Sequence, residues 1–398
     1  MNLSFESVCV QEPKDTKRNK PHILPIYATS SFEFESIHEG IDIFTNKKEG
    51  FVYSRYANPT IESVSQKLAK LESFGLDDEA TAILTSSGMS AISTLLAGVL
   101  EKGDLILTQA NLYGGTTELI KKVFSRFGVE TIFTDFQDYD ALEKILKDQC
   151  KIKMMFIESP ANPTLACVDL EILANLGKKY ECFTAIDNTF CTPYIQQPLK
   201  WGIDFVIHST TKYLNGHGNS TSGAIISFHK DIMKEKVWTT MKLMGTNCNP
   251  FDAWLINNGL KTLVIRMEKH SENAMELSKF LSTHEKVDHV NYTGLFSHPD
   301  HMLAKKQMRL HGGMMSFEIK GGIEAGKRFM NNINMCTLAP TLGDVDTLIL
   351  HPASMSHLNI PKEIRLANGI KDGLIRVSVG IEKFEDLKVD FESALNKC

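Results

Sequence analysis

Between residues 81 and 228 short apolar runs alternate with segments of helical periodicity, and this alternation limits the fold more than any other feature of the chain. The runs are Thr81 to Thr85, Leu105 to Thr108, Thr131 to Phe133, Met154 to Glu158, Phe183 to Asp187, Phe205 to His208 and Ala224 to Phe228. Around them apolar residues recur at three and four, as in Ile61, Val64, Leu68 and Leu71, and again in Ile92, Leu95, Leu96 and Val99. The runs read as strands and the spaced segments as amphipathic helices. Strands alternating with helices imply an α/β fold whose mostly parallel sheet is covered on both faces. In such sheets ligands gather at the carboxyl ends of the strands.

The flanks differ in texture. Residues 1–60 are polar and rich in turn formers, with Pro21, Pro25 and Pro59, and read as an extended arm. A large domain is expected over 61–258. A helix-rich stretch from Phe251 to Leu281 offers Leu255, Leu260, Leu263, Ile265 and Met267 as packing positions. Strands such as Met314 to Ile319 and Leu374 to Val379, with a final helix over Phe384 to Leu395, place a smaller domain at 259–398. The length of 398 residues, beyond what one hydrophobic core usually holds, agrees with two domains.

With 43 basic and 48 acidic side chains, and only Lys14 to Lys20 as a basic stretch, the surface is mildly acidic and argues against a nucleic-acid partner. Eight cysteines without a Cys-x-x-Cys pair read as free thiols in a reducing cytosol. Met1 to Gln11 has no basic start followed by an apolar core, and no apolar run reaches membrane-spanning length, so a soluble cytoplasmic protein is expected. Asn219-Ser220-Thr221 and Asn291-Tyr292-Thr293 are then chance matches to a glycosylation pattern. His298-Pro299-Asp300-His301 reads as a turn rather than a metal site, and no metal is expected. Met302, Met308, Met314 and Met315 read as packing.

The chemistry lies just past the strands. Lys212 sits in Ser209-Thr210-Thr211-Lys212-Tyr213-Leu214-Asn215-Gly216-His217, and Asp187 closes an earlier strand. Pyridoxal 5'-phosphate needs an amine for its aldehyde, compact donors for its phosphate and a buried carboxylate for its ring nitrogen. Lys212, Ser209 with Thr211, and Asp187 can supply these. Ser86-Ser87-Gly88-Met89 opens a helix, whose first amides attract phosphate. Leu112-Tyr113-Gly114-Gly115-Thr116 presents a tyrosine that can lie over an aromatic ring, its hydroxyl free to exchange protons. Glu158-Ser159-Pro160-Ala161-Asn162-Pro163-Thr164 places the Asn162 amide where it can meet the cofactor or a substrate carboxylate. Each motif alone is ordinary turn chemistry; together, in order, they converge on one site.

Along nearly its whole length the chain resembles the pyridoxal-phosphate-dependent enzymes of cysteine and methionine metabolism, which include cystathionine γ-synthases, cystathionine γ-lyases, methionine γ-lyases and O-acetylhomoserine sulfhydrylases. The resemblance rests on Pro25 to Phe32, Tyr53 to Thr60, Ser87-Gly88-Met89, Ala185 to Thr189, the Lys212 segment, His351 to His357 and Ile375 to Glu382. It implies a fold-type I transferase architecture. It implies, too, that Lys212 carries the cofactor, Asp187 pairs with its ring nitrogen, Tyr113 stacks on the ring, and Gly88, Met89, Ser209 and Thr211 hold the phosphate. Tyr53 and Arg55 of the arm would complete a neighbouring subunit's phosphate site, so the resemblance implies a homo-oligomer, a tetramer built from dimers that share active sites. Arg376 would clamp the substrate α-carboxylate through its bidentate fork, assisted by Asn162 and Thr341.

The resemblance is less specific about the reaction. Leu342-Gly343-Asp344 and His351 to His357 look most like methionine γ-lyases, whereas Gly115 stands where those enzymes usually carry a cysteine. Pro340 replaces the glutamate that cystathionine-handling members use for the distal amino group, Thr341 replaces a serine, and Asn219 to Gly223 leans towards sulfhydrylases. The expected reaction is γ-elimination from methionine or a related sulfur amino acid. The alternatives are γ-replacement on an activated homoserine, cystathionine cleavage, an aminotransferase, and a cofactor-binding module without turnover.

Overall fold

A computed structural model of the chain describes every residue except 1, 2, 12–20, 357, 359, 360 and 368. His357 and the basic stretch Lys14 to Lys20 therefore lie outside the described residues.

Seven strands form the main sheet: β1 (Thr81–Thr85), β2 (Leu105–Gln109), β3 (Glu130–Thr134), β4 (Ile152–Glu158), β5 (Phe183–Asp187), β6 (Phe205–His208) and β7 (Gly223–Ser227), in the order β1-β7-β6-β5-β4-β2-β3. The pairs from β6 across to β3 are parallel, while β7 runs antiparallel to both β6 and β1. Alternate residues of one strand feed opposite cores, as the pleat requires. Leu107, Met155, Ile157, Ile186 and Val206 pack with Val64, Leu68 and Leu71 on one face. Ile106, Met154, Phe156, Ala185 and Ile207 pack with Ile92, Leu95, Leu96 and Val99 on the other. Both faces are covered, which is why the strands are continuously apolar rather than alternating. Each such Val, Leu, Ile, Phe or Met side chain contributes about 1.5–3 kcal/mol by leaving water.

Two helices frame the sheet. Helix α3 (Pro59–Glu72) follows α1 (Phe5–Val10) and α2 (Ile37–Phe44) in the chain; it starts with Asn58 as its cap and Pro59 in its first turn. Helix α4 (Gly88–Val99) starts with a capping box in which Ser87 and Ser90 satisfy each other's backbone amides. A second, five-stranded sheet near the C-terminus joins β8 (Val287–Asn291), β9 (Met314–Ile319), β10 (Thr337–Leu338), β11 (Leu348–Leu350) and β12 (Leu374–Ser378) in the order β10-β11-β12-β9-β8. Its own core includes Phe317, Phe329, Val377 and Phe391. The helix Leu263–Ser282 belongs to both units: Leu263, Val264 and Met267 pack in the first core, and Ala274, Leu277 and Leu281 in the second.

Three sequence expectations need correction. The first 60 residues are not simply an extended arm, because α1 inserts Phe5 and Cys9 into the main core, with the Phe5 ring 5.4 Å from both Phe74 and Tyr194. Ile265 is 65% exposed and faces away from the cores that its neighbours Val264 and Met267 join. Met302 is 69% exposed, whereas Met308, Met314 and Met315 are buried as packing residues. No helix among the described residues is long and apolar enough to cross a membrane.

Candidate active site

The parallel strands end at one edge of the sheet, and the loops after β1, β2, β4, β5 and β6 meet there around a cavity of about 240 Å³. That volume suits a compact ring with one phosphate better than a dinucleotide. Gly88, Met89, Tyr113, Asn162, Asp187, Ser209, Thr211, Lys212 and Arg376 all line it.

At one end α4 points its first amides into the cavity. Gly88 lies so close to Ser209 that a side chain could not be added: a Cβ there would stand 2.7 Å from the Ser209 Cβ. Helix start and serine thus form one cradle for an anion. The Thr211 hydroxyl exchanges hydrogen bonds with the backbone of Ser222, donating to its carbonyl at 3.1 Å and accepting from its N–H at 3.0 Å, which pins the loop that carries Lys212.

Lys212 reaches from that loop to the Thr341 hydroxyl, with Nζ 2.6 Å from Oγ1. Burial lowers its pKa from the ordinary lysine value; the negative charge of Asp344 works against this and the positive charge of Arg376 with it. Arg376, on β12, is 7% exposed and donates from Nη2 to the Thr341 carbonyl at 2.8 Å. Thr341 therefore holds the lysine with its side chain and the arginine with its backbone.

Asp187 ends β5, and its Oδ1 accepts hydrogen bonds from both the backbone N–H (3.1 Å) and the hydroxyl of Thr189. The same hydroxyl oxygen accepts from the Ser209 N–H at 2.8 Å, so Thr189 ties Asp187 to the anion cradle. Glu158 is directly opposite Asp187 in the β4–β5 pairing. Burial raises the pKa of both carboxyls, and Glu158 is raised further by the charge of Asp187. Two carboxyls that burial pushes towards the neutral form stand side by side here. A protonated pyridine ring would supply a cation, and with the anion cradle and the lysine between, these residues fit pyridoxal phosphate.

Tyr113 precedes α5 (Gly114–Lys122) with its ring 50% exposed over the cavity. Gly115 sits under that ring: a Cβ at this position would be 2.6 Å from the Tyr113 Cε1 and 3.2 Å from the Met89 sulfur. The absence of a side chain at 115 thus permits the ring position seen here. Pro340 and Leu342 line the cavity, as do Pro160 and Phe190.

Other expected residues lie elsewhere. Tyr53 and Arg55 are absent from the lining of this chain's own cavity; Arg55 donates to the Lys242 carbonyl and sits 5.5 Å and 5.0 Å from the ring centroids of Tyr53 and Tyr56. Asn219 accepts a hydrogen bond from Asn215 at 2.9 Å and does not line the cavity, whereas its neighbour Thr221 does. Glu158 and Thr189 belong to the site through their hydrogen bonds, which their places in the sequence motifs do not reveal. Their signal was position alone, at and just beyond strand ends.

A buried lysine, a buried strand-end carboxyl and a helix-start anion cradle at the carboxyl edge of a largely parallel sheet fit a pyridoxal-phosphate-dependent enzyme of fold type I. A family model for the Cys/Met metabolism PLP-dependent enzymes matches residues 6–396, and the chain belongs to that family. It is 45% identical over 376 residues to an L-methionine gamma-lyase of Fusobacterium nucleatum subsp. polymorphum, covering 94% of this chain and 93% of that protein. A cystathionine gamma synthase of Xanthomonas oryzae pv. oryzae, solved with aminoacrylate and cysteine, superposes with a TM-score of 0.92 at 35% identity, covering 100% of this chain and 99% of that one. A putative O-acetylhomoserine (thiol)-lyase of Campylobacter jejuni superposes with a TM-score of 0.92 at 31% identity, over 99% of this chain and 100% of that one, and carries a pyridoxyl-lysine phosphate.

Proposed function

We propose that the protein is a carbon–sulfur lyase that eliminates the γ substituent of methionine or a related sulfur amino acid, releasing a 2-oxo acid, ammonia and a thiol. The observation that carries this reading is the apolar wall at Pro340 and Leu342, which offers no partner to a second ammonium group. A thioether tolerates such a wall; the distal amino group of cystathionine would be left unpaired, at a cost of several-fold to many-fold in binding. The identity of 45% to a methionine gamma-lyase supports the same reading.

Bound pyridoxal phosphate supplies an aldehyde for amines and a protonated ring that draws electrons from the substrate α carbon. The chain's own residues then divide the remaining work. Arg376 binds the substrate carboxylate, with Asn162 beside it. Gly88, Met89, Ser209 and Thr211 would hold the phosphate, Asp187 would keep the ring nitrogen protonated, and Tyr113 would cover the ring. Burial favours the neutral form of Lys212 Nζ, which would accept the α proton, hand it on to the bound cofactor, and so be free again to accept a β proton, while the Thr341 hydroxyl fixes its position. The Tyr113 hydroxyl donates a proton to the departing sulfur.

Tyr53 and Arg55 complete the phosphate site of a second copy of the chain. Their absence from the lining of their own chain's cavity supports this, and so do the exposed Ile37, Ile41 and Phe44 of α2, which need a covering surface. The assembly is a cytoplasmic homotetramer built from dimers that share active sites, and light scattering on the purified protein tests its size. Product analysis tests the reaction: oxo-acid release from methionine without an added thiol supports elimination. Thioether formation only from an activated homoserine plus a thiol would instead make the protein a γ-replacement transferase, a reading favoured by the likeness to a cystathionine gamma synthase.

A further inference from the structure

We propose that Glu158 is the positioning residue that fixes the tyrosine over the ring and the asparagine at its edge as one unit. The proposal rests on the reading above, in which Tyr113 covers the cofactor and Asn162 borders it. Glu158 is the last residue of β4 and is 6% exposed. Its Oε2 accepts the backbone N–H of Tyr113 at 2.7 Å, and its Oε1 accepts the backbone N–H of Asn162 at 2.9 Å. Tyr113 lies 45 residues earlier in the chain, on a different loop. One carboxyl group thus joins the loops after β2 and β4, directly beside Asp187 in the sheet register.

The residue type matters. A carboxyl group, ionised or neutral, keeps an acceptor lone pair on each of its two oxygens; a glutamine would turn its NH2 towards one of the two N–H groups. The backbone of Glu158 is itself fixed by Gln109, whose side chain donates to its carbonyl at 3.0 Å and accepts from its N–H at 3.1 Å. The carboxyl is therefore a rigid anchor on a rigid strand, and the two loops hang from it.

The test uses Glu158→Gln and Glu158→Asp, the latter one methylene too short to reach both amides. Hydrogen exchange in the cofactor-free protein should rise together at the Tyr113 and Asn162 amides, with the interior of β4 unchanged. Titration with pyridoxal phosphate should show at least tenfold weaker binding and a smaller visible circular-dichroism band. Tyr113→Ala should weaken binding less in the Glu158→Gln background than in the wild type. If both Glu158 variants keep wild-type exchange, affinity and dichroism while Tyr113→Ala and Asn162→Ala lose affinity, Glu158 is no anchor and the proposal falls. If Tyr113→Ala and Asn162→Ala also leave affinity and dichroism intact, the assignment of those two residues falls and takes the proposal with it. A folded-state loss confined to global stability, with no selective exchange at the two amides, overturns it as well.

Discussion

In the proposed mechanism Lys212 acts as a base, and its surroundings favour the neutral amine. Burial lowers its pKa, and the nearby Asp344 carboxylate opposes that shift. Removing the negative charge in Asp344→Asn should lower the lysine pKa further, so the neutral base persists to lower pH. The acidic limb of the kcat profile, which reports the substrate complex in which Lys212 is a free amine, is expected to move to lower pH; a shift to higher pH would show that Asp344 does not act on Lys212. Arg376 offers a second residue-scale prediction. Lysine cannot reproduce a bidentate guanidinium fork, and a hydrogen bond to a charged group contributes about 1.5–3 kcal/mol. Arg376→Lys should therefore lower kcat/KM roughly 10- to 100-fold, measured by steady-state kinetics with methionine.

At the scale of elements, the site depends on how closely β6 and the start of α4 approach. A methyl group at position 88 would press on Ser209, and overpacking of this kind costs about 1–3 kcal/mol. Gly88→Ala should weaken cofactor binding by about tenfold or more in a titration of the cofactor-free protein while leaving the fold intact. Helix α1 makes a different prediction: Phe5 fills a pocket between Phe74 and Tyr194, and emptying such a pocket costs about 3–5 kcal/mol. Phe5→Ala should lower the unfolding free energy by about that much in urea titration.

The sequence made the strands, the loops that follow them and the cavity-lining residues legible, because buried parallel strands are continuously apolar and ligand loops follow their carboxyl ends. It did not disclose that β7 runs antiparallel, since strand direction leaves no mark on an apolar run. Nor did it show Thr341 gripping both Lys212 and Arg376, or Glu158 gripping two loops, because those bonds join segments far apart in the chain. The helix α1 was hidden by its brevity.

For the whole molecule, the claim that Tyr53 and Arg55 serve a neighbouring site predicts complementation. Lys212→Ala and Arg55→Ala should each be inactive alone. Unfolded together and refolded as a mixture, they should recover about a quarter of wild-type activity, because random pairing in a twofold assembly leaves about that fraction of sites with both residues intact. No recovery would place Arg55 in its own chain's site. The central claim concerns the reaction itself, and the most direct measurement is turnover of methionine by the cofactor-loaded wild type with no thiol acceptor present. The account predicts multiple turnovers that release 2-oxo acid, ammonia and thiol in equal amounts, lost in Lys212→Ala. Absence of oxo acid from methionine, with efficient thioether synthesis from an activated homoserine and a thiol, would contradict it.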